Sequence, residues 1–289
     1  MKELVVISGK GGTGKTSLTG AFALLAHNRV LCDADVDAAD LHLLMDPEME
    51  RQTDFFSGHR AVVDPDRCSG CGLCRASCRF GAINDDLFVD PIACEGCGLC
   101  VAICPEKAVS FPENLCGRWF VSTTRFGPMV HARLGAGEEN SGKLVSLVRR
   151  EARSLAEQKG MRLILTDGPP GVGCPVIASI GGADGALIVT EPSLSGLHDL
   201  ERVLQLTTHF RVPAMICINK FDLNLALTRK IEAFAADNGA GLAGLVPFDP
   251  AMTRAMVKGR TLLEFDRHSS AAREVKALWG RVCRWMELA

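Results

Sequence analysis

Gly9-Lys10-Gly11-Gly12-Thr13-Gly14-Lys15-Thr16 lies between the apolar run Leu4-Val5-Val6-Ile7 and a helix-forming stretch from Ser17 to Leu25. Strand, glycine-rich turn and helix N-terminus is the setting in which a G-x-x-x-x-G-K-[ST] pattern becomes a phosphate cradle. Glycines let the backbone close around oxyanions, and the loop N–H groups and the positive helix end face the phosphates. Lys15 is placed to reach the β- and γ-phosphates, and Thr16 to offer its hydroxyl to Mg²⁺. Gly9 through Ser17 are therefore the expected phosphate-binding residues. A plain glycine turn is the alternative, and an eight-residue match after the first strand speaks against it.

Two later strands end in carboxylates. Val30-Leu31-Cys32 leads to Asp33-Ala34-Asp35-Val36-Asp37, and Leu163-Ile164-Leu165 leads to Asp167-Gly168-Pro169-Pro170-Gly171. In an open α/β sheet the carboxyl ends of parallel strands border the ligand crevice. Asp33, Asp35 and Asp167 are thus expected to hold Mg²⁺-bound waters, sense the γ-phosphate or orient the attacking water. An ordinary acidic turn would account for any one of them alone.

The composition changes from about Ala61 to Glu113, where the chain repeats itself. Val63-Asp64-Pro65 followed by Cys68-x2-Cys71-x2-Cys74-x3-Cys78 is echoed 26 residues later. The echo is Val89-Asp90-Pro91 followed by Cys94-x2-Cys97-x2-Cys100-x3-Cys104-Pro105. This is the spacing of bacterial two-cluster ferredoxins, in which each run gives three ligands to one 4Fe–4S cluster and its fourth to the other. One cluster would use Cys68, Cys71, Cys74 and Cys104; the other Cys94, Cys97, Cys100 and Cys78. Structural zinc is the alternative for paired Cys-x2-Cys motifs, but two three-plus-one runs favour iron–sulfur. Arg79 stands where the first run would usually carry proline, next to the thiol of Cys78.

The bulk numbers agree with a large α/β domain plus a small insert. The chain has 289 residues, a net charge of −2, 13 cysteines and no tyrosine. The charge gives no general reason to bind nucleic acid. Clustered cysteines without a leader-like N-terminus point to metal work in a cytoplasmic protein. Helices are expected from Leu144 to about Gly160, Ser195 to Phe210, Leu225 to Asp237, and at the C-terminus. Strands are expected at 186–190, 215–218 and 244–246, and 114–142 reads as a long loop.

The K-G-G-T-G-K-T form, with Lys10 directly after the first glycine, resembles the deviant-Walker ATPases. These include the MinD and ParA positioning proteins, the nitrogenase iron protein and the Mrp-type iron–sulfur carriers. In that family the early lysine crosses a dimer interface to the partner's phosphates, so the resemblance implies a homodimer formed on ATP binding. It also makes Asp33 and Asp35 the metal and water residues of one switch, with Asp37 matching a switch aspartate. Asp167 belongs to the other switch. Asn219 and the turn Pro247-Phe248-Asp249 match the family's base-contacting positions. Cys174 matches a cluster-bridging cysteine of the nitrogenase iron protein, but the companion it needs in 126–145 is absent. The other four cysteines, Cys32, Cys116, Cys217 and Cys283, read as packing residues.

The whole chain looks like a MinD-superfamily ATPase, residues 1–60 and 114–289, with a two-cluster ferredoxin inserted at 61–113. The implied fold is a doubly wound, mainly parallel sheet of the P-loop type. The implied function is Mg²⁺-ATP hydrolysis that gates electron transfer through two 4Fe–4S clusters to or from a partner protein. An iron–sulfur cluster carrier and a positioning ATPase with a redox sensor are the alternatives. MinD-type proteins end in a membrane-binding amphipathic helix; here Val275, Leu278, Trp279, Val282, Trp285 and Met286 share one face, and a closing helix packed on the sheet is the preferred reading.

Overall fold

The computed structural model describes residues 1–288. The chain divides into two compact units. The larger comprises residues 1–53, 119–133 and those from Ser141 onwards; the smaller comprises 54–118 and 134–140. In chain order the strands are β1 (Lys2–Ser8), β2 (Arg29–Asp33), β3 (Glu48–His59), β4 (Val62–Val63), β5 (Val109–Ser110) and β6 (Glu113–Thr124). They continue with β7 (Gly127–Leu134), β8 (Leu163–Pro170), β9 (Gly185–Thr190), β10 (Ala214–Asn219) and β11 (Gly241–Val246). The chain passes between the units within β3, β6 and β7.

The principal sheet has the order β11-β10-β9-β1-β8-β2-β7-β6-β3, and the pairs from β11 to β7 are parallel. Its central strands read as unbroken apolar runs because both faces are covered. Leu4, Val6, Leu187 and Val189 pack on one side with helices Lys15–Leu25 and Ser270–Met286. Val5, Ile7, Ala186 and Ile188 pack on the other with helices Cys174–Ile180, Leu194–His209 and Leu225–Asp237. Alternate residues of one strand thus serve two apolar layers, as the two-residue side-chain period requires.

The C-terminal helix buries Val275, Leu278, Trp279, Val282 and Met286, and the Trp279 ring stacks on Phe22 with centroids 4.9 Å apart. Its apolar face is the closing wall of a core and is not open to lipid here. Among the described residues no helix is long and apolar enough to cross a membrane.

One expectation fails. Residues 114–142 are not a long loop but mostly two strands, β6 and β7, joined by Arg125 and Phe126. The Thr124 hydroxyl donates to the Gly127 carbonyl at 2.7 Å and closes that turn. Phe126-Gly127-Pro128 marks the end of the turn and the start of β7, with Gly127 at φ 117°, and the glycine and proline hid the half-buried pattern on either side.

The smaller unit shows its sequence repeat as an internal two-fold. Val63 pairs with Val109 in the antiparallel β4–β5 ladder, and Ile83 bridges Val89, the same pair shifted by 26. Asp64 N–H donates to Ala108 O at 2.7 Å, and Asp90 N–H donates to Ala82 O at 2.7 Å. Short helices Leu73–Ala76 and Leu99–Ile103 follow Gly72 and Gly98, at φ 69° and 75°. Each half has the same turn after its second cysteine, and glycine suits it because an L side chain is strained at positive φ.

Candidate functional site

The carboxyl ends of β1, β2, β8, β9 and β10 bring the site together at the point where strand order reverses about β1. The loop after β1 delivers Lys15 as the first residue of helix Lys15–Leu25. Gly14 sits at φ 96°, and a Cβ there would run into Asn219 Nδ2. That close approach is why the loop needs glycine at this position. The Thr13 hydroxyl is buried and has no partner among the described residues. An orphaned donor in a phosphate loop fits a missing oxyanion.

Thr16 donates to Asp167 Oδ2 at 2.7 Å, and Thr19 donates to Asp167 Oδ1 at 3.0 Å. Asp33 and Asp167 are register partners on adjacent strands, and both are buried. Asp33 accepts from the N–H groups of Asp35 and Leu41, each at 3.2 Å, and so ties down the following turn. Burial pushes Asp33 well above the usual carboxylate range, and the charges of Asp167 and Asp35 add to it. Burial raises Asp35 to about 6 despite the opposing pull of Lys15. Asp167 is raised by burial too, with Lys15 and the two threonine hydroxyls working against it. Buried carboxylates beside a hydroxyl are an all-oxygen donor set that suits Mg²⁺. Asp37 is exposed, and its charge adds to the rise at Asp35.

Lys10 does not dangle. Its ammonium meets Glu191 Oε1 at 2.6 Å and the hydroxyls of Ser193 and Ser195 at 3.1 and 3.0 Å. Glu191 also meets Lys220 at 2.9 Å, and the two lysines hold its carboxyl below the usual range against the effect of burial. Sequence reasoning missed Glu191, although it follows an apolar strand just as Asp33 and Asp167 do. It also missed Asp40, which lines the cavity beside the phosphate loop.

That cavity, about 250 Å³, is lined by Lys15, Thr16, Asn219, Pro247, Phe248 and Asp249 among others. The predicted base-side residues therefore do border the phosphate loop. Two of them are already occupied, however. Asn219 donates from Nδ2 to the Thr13 carbonyl at 2.7 Å, while its Oδ1 accepts from Lys220 N–H at 3.0 Å. Asp249 caps helix Pro250–Val257 by accepting from Ala251 N–H at 2.8 Å. Both act by holding backbone in place.

In the smaller unit all eight repeat cysteines are free thiols. Cys74, Cys78, Cys94, Cys97 and Cys100 line one cavity of about 50 Å³, whose wall also includes Ile83, Val89 and Phe111. Cys74 and Cys78 come from the first run and the others from the second. Conversely, burial raises the Cys74 thiol, and the nearby charges of Cys68 and Cys104 add to the rise. Thiols of the two runs are therefore neighbours in space, Cys74 with Cys104 and Cys78 with Cys94, Cys97 and Cys100. No three His, Cys, Asp or Glu side chains among the described residues converge on a single-ion site. Cys71 and Cys97 are exposed. Of the remaining cysteines, Cys32, Cys116 and Cys217 are buried, Cys283 is half-buried and Cys174 is exposed.

Residues 4–262 match the family described as the CobQ/CobB/MinD/ParA nucleotide binding domain. The chain belongs to that family. An uncharacterised Methanocaldococcus jannaschii protein, MJ0578, is 34% identical over 228 residues, covering 77% of this chain and 79% of its own. The Pyrococcus furiosus cell division ATPase MinD has the same fold, with a TM-score of 0.60 at 18% identity, over 98% of this chain and 99% of its own. A ParA family ATPase from Chlorobium tepidum aligns with a TM-score of 0.55 at 17% identity, over 100% and 99% of the two chains. This MinD/ParA-type fold is the doubly wound, mainly parallel sheet expected from the sequence.

Proposed function

We propose that this MinD/ParA-type protein is an Mg²⁺-dependent nucleoside triphosphate hydrolase, with ATP as the family's substrate, that works as a switch sensitive to redox state. The observation that carries the hydrolase reading is the Thr16–Asp167–Thr19 network beside buried Lys15 and orphaned Thr13. Lys15 and the loop N–H groups neutralise the phosphates, Thr16 and Asp167 hold the metal, and Asp33 and Asp35 position its water shell. Such phosphoryl transfer needs positioning and charge stabilisation, with no covalent enzyme intermediate. Lys10 would leave Glu191 to reach the phosphates bound by a second copy of the chain.

The smaller unit, in this reading, is a two-cluster ferredoxin. Two observations support it: thiols from both runs border one cavity, and Cys74 lies near Cys68 of its own run and Cys104 of the other. When bound, each cluster would accept or release one electron. A second reading, in which nucleotide hydrolysis gates electron transfer to or from a partner protein, is favoured by the exposure of Cys71 and Cys97. Those thiols would bring cluster edges to the surface.

The test is anaerobic purification followed by turnover assays with the iron centres oxidised and then reduced. Lys15→Ala should lower ATP turnover by about 10²–10³-fold while leaving about eight irons per chain. Undiminished turnover would refute the active-site assignment, and a rate blind to redox state would remove the coupling. Electron delivery to an acceptor only during ATP turnover would select the second reading.

A further inference from the structure

The phosphate loop carries two lysines, and the structure treats them differently. Lys15 lines the cavity of about 250 Å³ beside the loop, whereas Lys10 does not. Lys10 lies along the start of helix Leu194–His209 instead. Gly9 brings the loop so close to that helix that a Cβ there would run into Asp199. Ser8 donates from Oγ to the Lys10 carbonyl at 2.6 Å and fixes the backbone where the side chain leaves it. The ammonium then sits among Glu191, Ser193 and Ser195, from the stretch that joins β9 to the helix and opens it. Glu191 is shared: its Oε2 takes Lys220, whose Nζ also donates to the Gly12 carbonyl at 3.0 Å. One carboxylate thus holds the side chain of Lys10 and, through Lys220, the loop backbone at Gly12. The side chains of Lys10 and Glu191 keep only 29% and 21% of their surface exposed. Solvated surface pairs are weak, but charge-assisted bonds in a partly desolvated setting are stronger.

We infer that Glu191 is an internal competitor of the nucleotide: it withholds Lys10 from the γ-phosphate, and Lys10 is released only to that more highly charged anion. A carboxylate carries one negative charge, whereas a terminal phosphate carries close to two at neutral pH. Lys10 therefore gains by exchanging Glu191 for a γ-phosphate. A diphosphate offers nothing at that position, since Lys15 and the loop N–H groups already take up its β-phosphate. Lys220 keeps Glu191 paired after Lys10 has left, so the exchange strands no half-buried charge. Chains with Lys10 free are the fraction competent for the contact, and apparent affinity falls by that fraction. This rests on the hydrolase reading and deepens it: Glu191 becomes a specificity-determining residue that separates triphosphate from diphosphate. The γ-phosphate belongs either to the same chain or, as proposed above, to a second copy.

The test uses the full chain with Mg²⁺ and the β,γ-imido analogue of ATP, so that turnover plays no part, with ADP as the control. Binding is read by displacement of a fluorescent ATP analogue, and assembly by sedimentation over a range of chain concentrations. Glu191→Gln keeps the size of the side chain and gives up its charge. It should tighten binding of the imido analogue about tenfold and leave ADP within about twofold. A gain that grows with chain concentration places the γ-phosphate on a second copy; a gain independent of concentration places it on the same chain. Ser195→Ala removes a Lys10 partner without touching Lys220, and should act in the same direction by a smaller factor. In a Lys10→Ala background neither change should have an effect, because no ammonium is left to release. Unchanged or weaker binding of the imido analogue in Glu191→Gln, an equal gain for ADP, or a gain that survives Lys10→Ala would overturn the inference. The last result would make Glu191 a brace for Lys220 and Gly12. If the wild-type chain bound neither nucleotide, the phosphate-loop assignment would fall first, and the competitor with it.

Discussion

The phosphate-loop unit and the cysteine unit hold their functional groups in opposite ways. The larger unit supports its site on two apolar layers and a central sheet, and it can bury Lys15, Asp33 and Asp167 together. The smaller unit has only Ala61, Cys74, Ile83, Val89 and Val109 as a buried cluster, with other cysteines packed around it. A unit this small lacks the apolar area that a stable core needs, and bound metal commonly supplies the difference. One site is preorganised by the fold, and in the proposed reading the other would be organised by the clusters it binds.

Stripping iron anaerobically with a chelator gives the sharpest test of that contrast. Amide exchange protection in 61–112 should be lost, while the strands and helices of the larger unit stay protected. Equal protection in both units after iron removal would erase the distinction. A smaller effect is expected at Asn219, whose side chain braces the loop from behind. Asn219→Ala should weaken nucleotide binding by about 1–3 kcal/mol through a misplaced Thr13 carbonyl and Gly14, with little change in melting temperature. Calorimetric binding at unchanged fold would check it, and unaltered affinity would show the brace to be dispensable.

The smallest effect concerns acid stability of the larger unit. Burial, helped by His42, lowers His131 to about 4, and its Nε2 lies 3.0 Å from the Ser122 hydroxyl. The unfolded chain binds this proton near the ordinary value of about 6.5, so it takes up more protons than the folded one between those limits. Stability from His131 is therefore present above pH 6.5 and is lost as pH falls towards 4. The loss should reach about 1–2 kcal/mol by pH 5. Urea midpoints at pH 7 and pH 5 measure it, and His131→Gln should flatten the slope; an unchanged slope would assign it elsewhere.

The parts legible in the sequence are those whose chemistry is contiguous. Gly9 to Ser17 lie in a row, and the cysteine runs announce themselves by spacing and by the 26-residue echo. The reciprocal exchange of Cys78 and Cys104 is what the spacing of two-cluster ferredoxins predicts. Glu191 was not, since nothing nearby says that Lys10 will fold back onto it across 181 residues of chain. The β6–β7 pair was misread because glycine and proline mark hairpin turns as readily as loops.

The amino-acid sequence alone determined the strand-loop-helix phosphate cradle, the two repeated cysteine runs and the doubly wound sheet, because each follows from local periodicity or fixed spacing. Only the tertiary structure decided which polar groups were already spent: Asn219 on Thr13, Asp249 on a helix cap, and Lys10 on Glu191. Hydrogen-bond occupancy depends on which distant strand ends the sheet sets side by side, and strand order is a property of the packed chain.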